Sequence, residues 1–346
     1  MKAVLHIGPI NSKGGMSRTI NELSDNPPDG WSSYCLESHV DGSIWSKLNT
    51  WRNSLRRMDT LVRQSEIDLI HIHTASDISW LRKKTFIRKS LKLGLPVIVS
   101  IHGGNFDKFC KRNFGIFGYG VRRLLSNPKI TTVALTKRCR KLVSPWTGSS
   151  TEVIPNFISS TTNDSSVGAR KAGRLLFIGR DSKEKRVNLA VEIANTLQIK
   201  GYNSTLVLAG IERNSRSIGS SVNKDYISPR GWLDSRKISE LIRNSWALLI
   251  TSEYEALPMT AIEAMRNGLP IIGSEAVDGI FNNAGLIVKS QDPDIWASKI
   301  GDLLEDPEKW EKMSISGPSE STIFEPLTVR GQWFDLYNSI VSGHPK

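Results

Sequence analysis

The sequence predicts an α/β chain of two doubly wound domains, each a parallel sheet covered by helices on both faces. Three observations carry that expectation. A chain of 346 residues exceeds one average domain and suits two, each able to bury its own core. Apolar runs of strand length alternate with segments of helical period throughout, as parallel strands linked by crossover helices require. The alternation pauses once, in a Ser/Thr/Asn/Gly-rich stretch between Pro155-Asn156 and Gly173, and then begins again.

The strand candidates of the first half are 3–7, 33–36, 69–73, 97–102, 132–135 and 152–154. After the pause come 175–178, 205–209, 247–251 and 270–273. Between the strands, Leu189, Ile193 and Leu197 mark one face of a helix, and Ile238, Leu241 and Ile242 another. Asp234 or Ser235 is placed to cap the second of these. The aromatic-rich segment 329–341 reads as a final helix that packs on a core. The expected domains are therefore 1–160 and 161–325, facing each other across a cleft. Residues 326–346 form a C-terminal helix packing back toward the first domain, and the pause serves as the hinge.

Composition narrows the function. The longest apolar runs, such as 269–273, are far below membrane-spanning length, and the first residues read as a strand instead of an export signal. Cys35, Cys110 and Cys139 are scattered and odd in number, without metal or redox spacing, so they read as buried small hydrophobes. A cytoplasmic protein is the expectation. The net charge of +12 is uneven: residues 1–160 hold 24 Lys and Arg against 11 Asp and Glu. From Arg82 to Lys141 there are 16 basic residues and one acidic residue, Asp107. A field so one-sided meets something anionic. No nucleic-acid module is recognisable, and Phe114, Phe117 and Tyr119 lie between Lys111-Arg112 and Arg122-Arg123. Aromatics set among basic residues suit peripheral contact with an anionic membrane.

The chemistry is expected in loops at the carboxyl ends of strands. The strongest signal is the loop from Glu255 through Ala256, Leu257, Pro258, Met259 and Thr260 to Glu263. Pro258 fits the first turn of a helix, where its missing N–H costs nothing. The N–H groups around it make an anion site at that helix start. Glu263 would lie about 7 Å further along the axis at ~1.5 Å per residue. Two carboxylates flanking a phosphate site cannot favour the phosphate, but they can accept hydrogen bonds from hydroxyls on either side. A nucleotide sugar has that layout of ribose, diphosphate and sugar.

These residues resemble the Glu-x7-Glu signature of family 4 retaining glycosyltransferases, which have the GT-B fold of two Rossmann-like domains. Other pieces in the same order resemble that family too. Phe177-Ile-Gly179-Arg180 followed by Lys185 is similar to its diphosphate clamp, Val153-Ile-Pro-Asn156 to its hinge, and Lys13-Gly14-Gly15 to its glycine-rich loop. Gly268-Leu-Pro270 and Asn283-Ala-Gly285 are similar to segments that follow the signature helix. The resemblance implies that Glu255 holds donor-sugar hydroxyls, Glu263 the ribose, and Arg180 and Lys185 the leaving diphosphate, with no metal or other cofactor. It implies that Gly14 and Gly15 allow close approach of donor or acceptor, and that His102 lies near the reacting sugar. Two departures stand out: Arg186 replaces the clamp's final glycine, and Ala256 a glycine beside Glu255.

The expected function is transfer of a sugar from a UDP- or GDP-sugar to a saccharide or lipid-linked saccharide acceptor in surface polysaccharide or glycolipid assembly. The first domain would bind the acceptor and the second the donor, with the protein peripheral on the inner face of the membrane. A nucleotide-sugar 2-epimerase on the same fold, or a non-catalytic lipid- or nucleic-acid-binding protein, are the alternatives. His73 reads as the cap of a strand end, with no chemical role.

Overall fold

The structure is a computed structural model that describes residues 1–12, 14–148, 150–158 and 170–343. Lys13 and the 159–169 part of the expected hinge lie outside the described residues. The chain divides into two compact units, Met1–Ser159 with Phe324–Lys346, and Ser160–Ile323.

The first unit runs β1 (Lys2–Gly8), α1 (Gly15–Asp25), β2 (Trp31–Glu37), α2 (Ile44–Gln64), β3 (Leu69–Thr74) and α3 (Asp77–Lys92). It continues with β4 (Val97–Ile101), α4 (Phe106–Lys111), α5 (Ile116–Leu125), β5 (Ile130–Ala134), α6 (Lys137–Thr147) and β6 (Thr151–Val153). Its sheet has the order β2-β1-β3-β4-β5-β6, with every pairing parallel. β3 and β4 are buried along their whole length, although β3 carries His71, His73 and Thr74 among its apolar residues.

The second unit runs β7 (Arg174–Ile178), α7 (Val187–Ile199), β8 (Thr205–Ala209), β9 (Ile227–Pro229), α8 (Ser235–Asn244) and β10 (Ala247–Ile250). It closes with α9 (Met259–Arg266), β11 (Ile271–Ser274), β12 (Gly285–Val288), α10 (Pro293–Leu304) and α11 (Pro307–Ser321). This sheet has the order β12-β11-β10-β7-β8-β9, again all parallel. Leu189, Ile193 and Leu197 of α7 enter its core beside Leu175, Leu206 and Trp296. Asp234 caps α8 by accepting from the Lys237 N–H at 2.9 Å.

The last helix, α12 (Pro326–Gly343), belongs to the first unit. Val329, Trp333 and Tyr337 share a core there with Val4, Leu69, Ile98 and Val133. The spacing of four between these residues places them on one helical face.

Several expectations need correction. Strands β9 and β12 were not foreseen: each lies at a sheet edge, and one ends in proline while the other opens on glycine. Pro258 precedes α9 as its N-cap and so is not a residue of its first turn. β4 ends at Ile101, one residue before His102. Cys35 is only half-buried, and its Sγ donates to Ser24 Oγ at 3.2 Å. No helix among the described residues is long and apolar enough to cross a membrane.

Candidate active site

In the second unit the strand order reverses between β7 and β10, since the chain runs outward from β7 to β9 and then from β10 to β12. Doubly wound sheets bind ligands in the crevice at such a point. The loops leaving these two strands, 179–186 and 251–258, carry six of the twelve expected site residues, and α9 behind the second loop carries three more.

Backbone bonds stitch the two loops together. The Glu253 N–H donates to the Glu184 carbonyl at 2.8 Å. Thr251 Oγ1 donates to the carbonyls of Lys185, at 2.8 Å, and Arg186, at 3.1 Å. Arg186 has φ 48°, in the left-handed region that favours glycine, and its guanidinium lies 3.6 Å from Glu253. These contacts hold an arginine in a conformation that costs a bulky residue energy.

The result is a short ion pair. Lys185 Nζ donates to Glu255 Oε1 at 2.6 Å, with side chains 24% and 12% exposed. Partial burial makes such a charge-assisted bond stronger than a surface pair, because less water screens it. Ala256, Leu257, Pro258 and Met259 are buried and fix the start of α9, while Thr260 and Glu263 are half-buried. The Met259 and Thr260 N–H groups at the start of α9 have no carbonyl behind them in the helix, so they favour an anion, while the Ala261 N–H donates to the Pro258 carbonyl at 3.0 Å. Arg180 is exposed just beyond β7. Thus Lys185, Glu255 and the run to Glu263 are gathered at one place, with Arg180 on the same loop as Lys185.

The other expected residues belong to the first unit. Gly14 is the N-cap of α1 at φ 149° and Gly15 its first residue, beyond the carboxyl end of β1. His102 follows β4, its N–H donating to the Thr74 carbonyl at 2.7 Å. It does not stand alone. His102 Nε2 lies 3.0 Å from His73 Nδ1, and His73 Nε2 lies 3.1 Å from His6 Nδ1. His73 is fully buried within β3, so its expected place as a strand cap is wrong. Beside it, His71 bonds Tyr337 Oη through Nδ1, at 2.9 Å, and Ser100 Oγ through Nε2, at 2.7 Å.

Burial holds these imidazoles neutral. It pushes His6 down to about 3 and His102 to about 4, and lowers His71 and His73 well below the usual value. The nearby ammonium of Lys83 also disfavours charge on His102 and His73. Lys83 is itself buried and donates to Ser38 Oγ, and burial pushes it down to about 7. Sequence reading missed this assembly because it joins three strands. The one local sign was the alternation His71-Ile72-His73, which puts both rings on one face.

His6, His71 and His73 are the one group among the described residues whose side chains could hold a metal, with ligand atoms within 4.8 Å of one another. The His71 and His73 rings stack, 4.1 Å apart at 29°, and the facing nitrogens of His6 and His73 are spent on each other at 3.1 Å. Nitrogen lone pairs lie in the ring plane, so stacked rings do not aim at a common point.

Residues 161–319 match the family model described as "Glycosyl transferases group 1". The amylovoran biosynthesis glycosyltransferase AmsD of Erwinia amylovora is 25% identical over 177 residues, 50% of this chain and 50% of that protein. The chain thus spans about half the length of that relative. Among solved structures, sucrose-phosphate synthase of Thermosynechococcus elongatus superposes with a TM-score of 0.78 at 16% identity, covering 99% of this chain and 100% of that one. HepE of Anabaena, solved in complex with UDP and glucose, superposes with a TM-score of 0.72 at 13% identity, covering 97% and 99%. Identities this low speak for the fold alone, which is GT-B. Residues 161–319 thus resemble a group 1 glycosyl transferase domain, within a chain of GT-B fold.

Proposed function

We propose that the chain is a retaining, metal-independent glycosyltransferase of family 4. It moves a sugar from a UDP- or GDP-sugar to a saccharide or lipid-linked saccharide in surface-polysaccharide or glycolipid assembly. The observation that carries the reading is the Lys185–Glu255 pair at 2.6 Å, held at the point where the second sheet reverses its order. A carboxylate anchored by an ammonium is preorganised to accept hydroxyls of a donor sugar. The same ammonium, with Arg180 and the start of α9, meets the negative charge that grows on a leaving diphosphate. Those cations do the work that a metal does elsewhere. Glu263, one turn into α9, takes the ribose hydroxyls.

In the reaction the acceptor oxygen bonds to the anomeric carbon on the face that the diphosphate leaves. The bond from that carbon to the phosphate oxygen breaks, and the acceptor's proton passes to the same oxygen. The configuration is retained and a nucleoside diphosphate departs. Support for the setting comes from AmsD, named for amylovoran biosynthesis, and support for a uridine nucleotide from HepE. The basic, aromatic-bearing segment from Arg82 to Lys141 brings the first unit to an anionic membrane and with it to a lipid-linked acceptor.

A thermal-shift screen against UDP-, GDP- and ADP-sugars tests the reading. A ligand at 100 times its dissociation constant stabilises by about 2.7 kcal/mol, so even a weak donor at millimolar concentration raises Tm. Glu255→Ala is expected to lower kcat on the order of a hundredfold by misplacing the sugar. If no nucleotide sugar raises Tm and Glu255→Ala changes nothing, the reading fails.

A further inference from the structure

The three linked histidines impose a condition on His102. A neutral imidazole carries one N–H donor and one bare nitrogen acceptor, so a row of three must all point the same way. If each donates toward the interior, from His102 Nε2 to His73 Nδ1 and from His73 Nε2 to His6 Nδ1, a proton is left on His6 Nε2. That atom is buried and has no hydrogen-bond partner among the described residues. If each donates outward, His6 Nε2 is a bare nitrogen and the last proton stands on His102 Nδ1. Buried N–H groups without an acceptor are rarer in proteins than unmet acceptors, so the outward direction is favoured.

We infer that His73, backed by His6, is a positioning residue that locks His102 in the Nδ1–H tautomer, so that His102 meets a substrate oxygen as a hydrogen-bond donor. The oxygen is a sugar hydroxyl or a phosphate oxygen, both of which accept. In this tautomer the nitrogen that could take up a proton, Nε2, is occupied by His73 at 3.0 Å, so His102 is not a general base. The role of His102 rests on the glycosyl-transfer reading. The tautomer does not.

Nitrogen-15 NMR on the full chain labelled at histidine reads the tautomer directly at neutral pH. The expected result is three neutral rings, His6, His73 and His102, each protonated at Nδ1 and bare at Nε2. A proton on His102 Nε2 overturns the proposal, with or without a substrate. Two variants extend the test to turnover. His73→Phe removes the donor to His102, and kcat is expected to fall about tenfold, the equivalent of one hydrogen bond in the transition state. In His73→Asn the amide nitrogen stands near the place of Nδ1, and most of that loss is expected to return together with the His102 Nδ1–H signal. Equal impairment of the two variants, with both folded, speaks for packing alone and overturns it. If the wild-type chain turns over no nucleotide sugar, the function proposed above fails, and the NMR result still decides the tautomer.

Discussion

At the scale of single residues, the buried histidines tie stability to pH in a definite direction. Their folded values lie below the ordinary 6.5, at about 3 for His6 and about 4 for His102. Between those values and 6.5 the unfolded chain binds protons that the folded chain refuses, so stability is lost as pH falls through this window. Each histidine that must stay neutral contributes a slope of up to about 1.4 kcal/mol per pH unit. Urea unfolding at pH 7 and at pH 5 is therefore expected to show a marked drop at the lower pH. His6→Phe should make that drop shallower, and an unchanged slope would contradict the account. This network was not legible in the sequence. His6 and His71 meet only because β1 and β3 are register partners, and no spacing along one chain gives the register between strands. Lys185 and Glu255 were legible as residues, since each follows an apolar strand, but their contact was not. It depends on which strands become neighbours.

At the scale of elements, the expected strands match wherever burial makes a mostly apolar run, as in β4, β8 and β10. The two missed strands are edges, where half-buried positions blur the pattern: β12 has one buried residue of four. The site also depends on a close approach that only the folded chain displays. Gly210, just after β8, has φ +88°, and a Cβ there would lie 2.3 Å from the Gly179 carbonyl oxygen. The Gly179 N–H in turn donates to the Ala209 carbonyl at 3.0 Å, so the end of β8 sets the start of the loop bearing Arg180 and Lys185. Gly210→Ala is expected to destabilise by at least about 1 kcal/mol, since alanine is incompatible with this backbone. By displacing Gly179 it should also weaken nucleotide-sugar binding. Urea midpoints and the Tm shift with UDP-sugar measure the two effects, and full stability with full binding would show that the approach is not required.

At the scale of the whole molecule, the charge asymmetry becomes a surface in the first unit. Lys111, Arg112, Arg122, Arg123, Lys137, Arg140 and Lys141 are all exposed. Between α4 and α5 the chain takes left-handed backbone at both Asn113 and Phe114, and Phe114 is fully exposed. Left-handed backbone is costly for an aromatic residue, and water offers its ring no compensation. Ile116 and Tyr119 are exposed on the same hairpin, so the apolar tip is flanked by Arg122 and Arg123. An anionic bilayer satisfies both features, the aromatics at the headgroup boundary and the cations against the lipid charge. Arg112 and Lys111 already face Asp77 and Asp107, so Arg122 and Arg123 are the better variants. Co-sedimentation should show binding to vesicles containing phosphatidylglycerol, little to phosphatidylcholine alone, and loss of binding at high salt as screening shortens the field. Replacing both arginines with glutamine should remove about 2 kcal/mol, a factor of roughly thirty in affinity, at ~1 kcal/mol per charge. Phe114→Ser should weaken binding without altering its dependence on salt, because it removes the apolar contribution and leaves the charge. Equal, salt-insensitive binding to both kinds of vesicle would mean that the basic surface serves some other anion, and the lipid-linked acceptor would lose its physical basis.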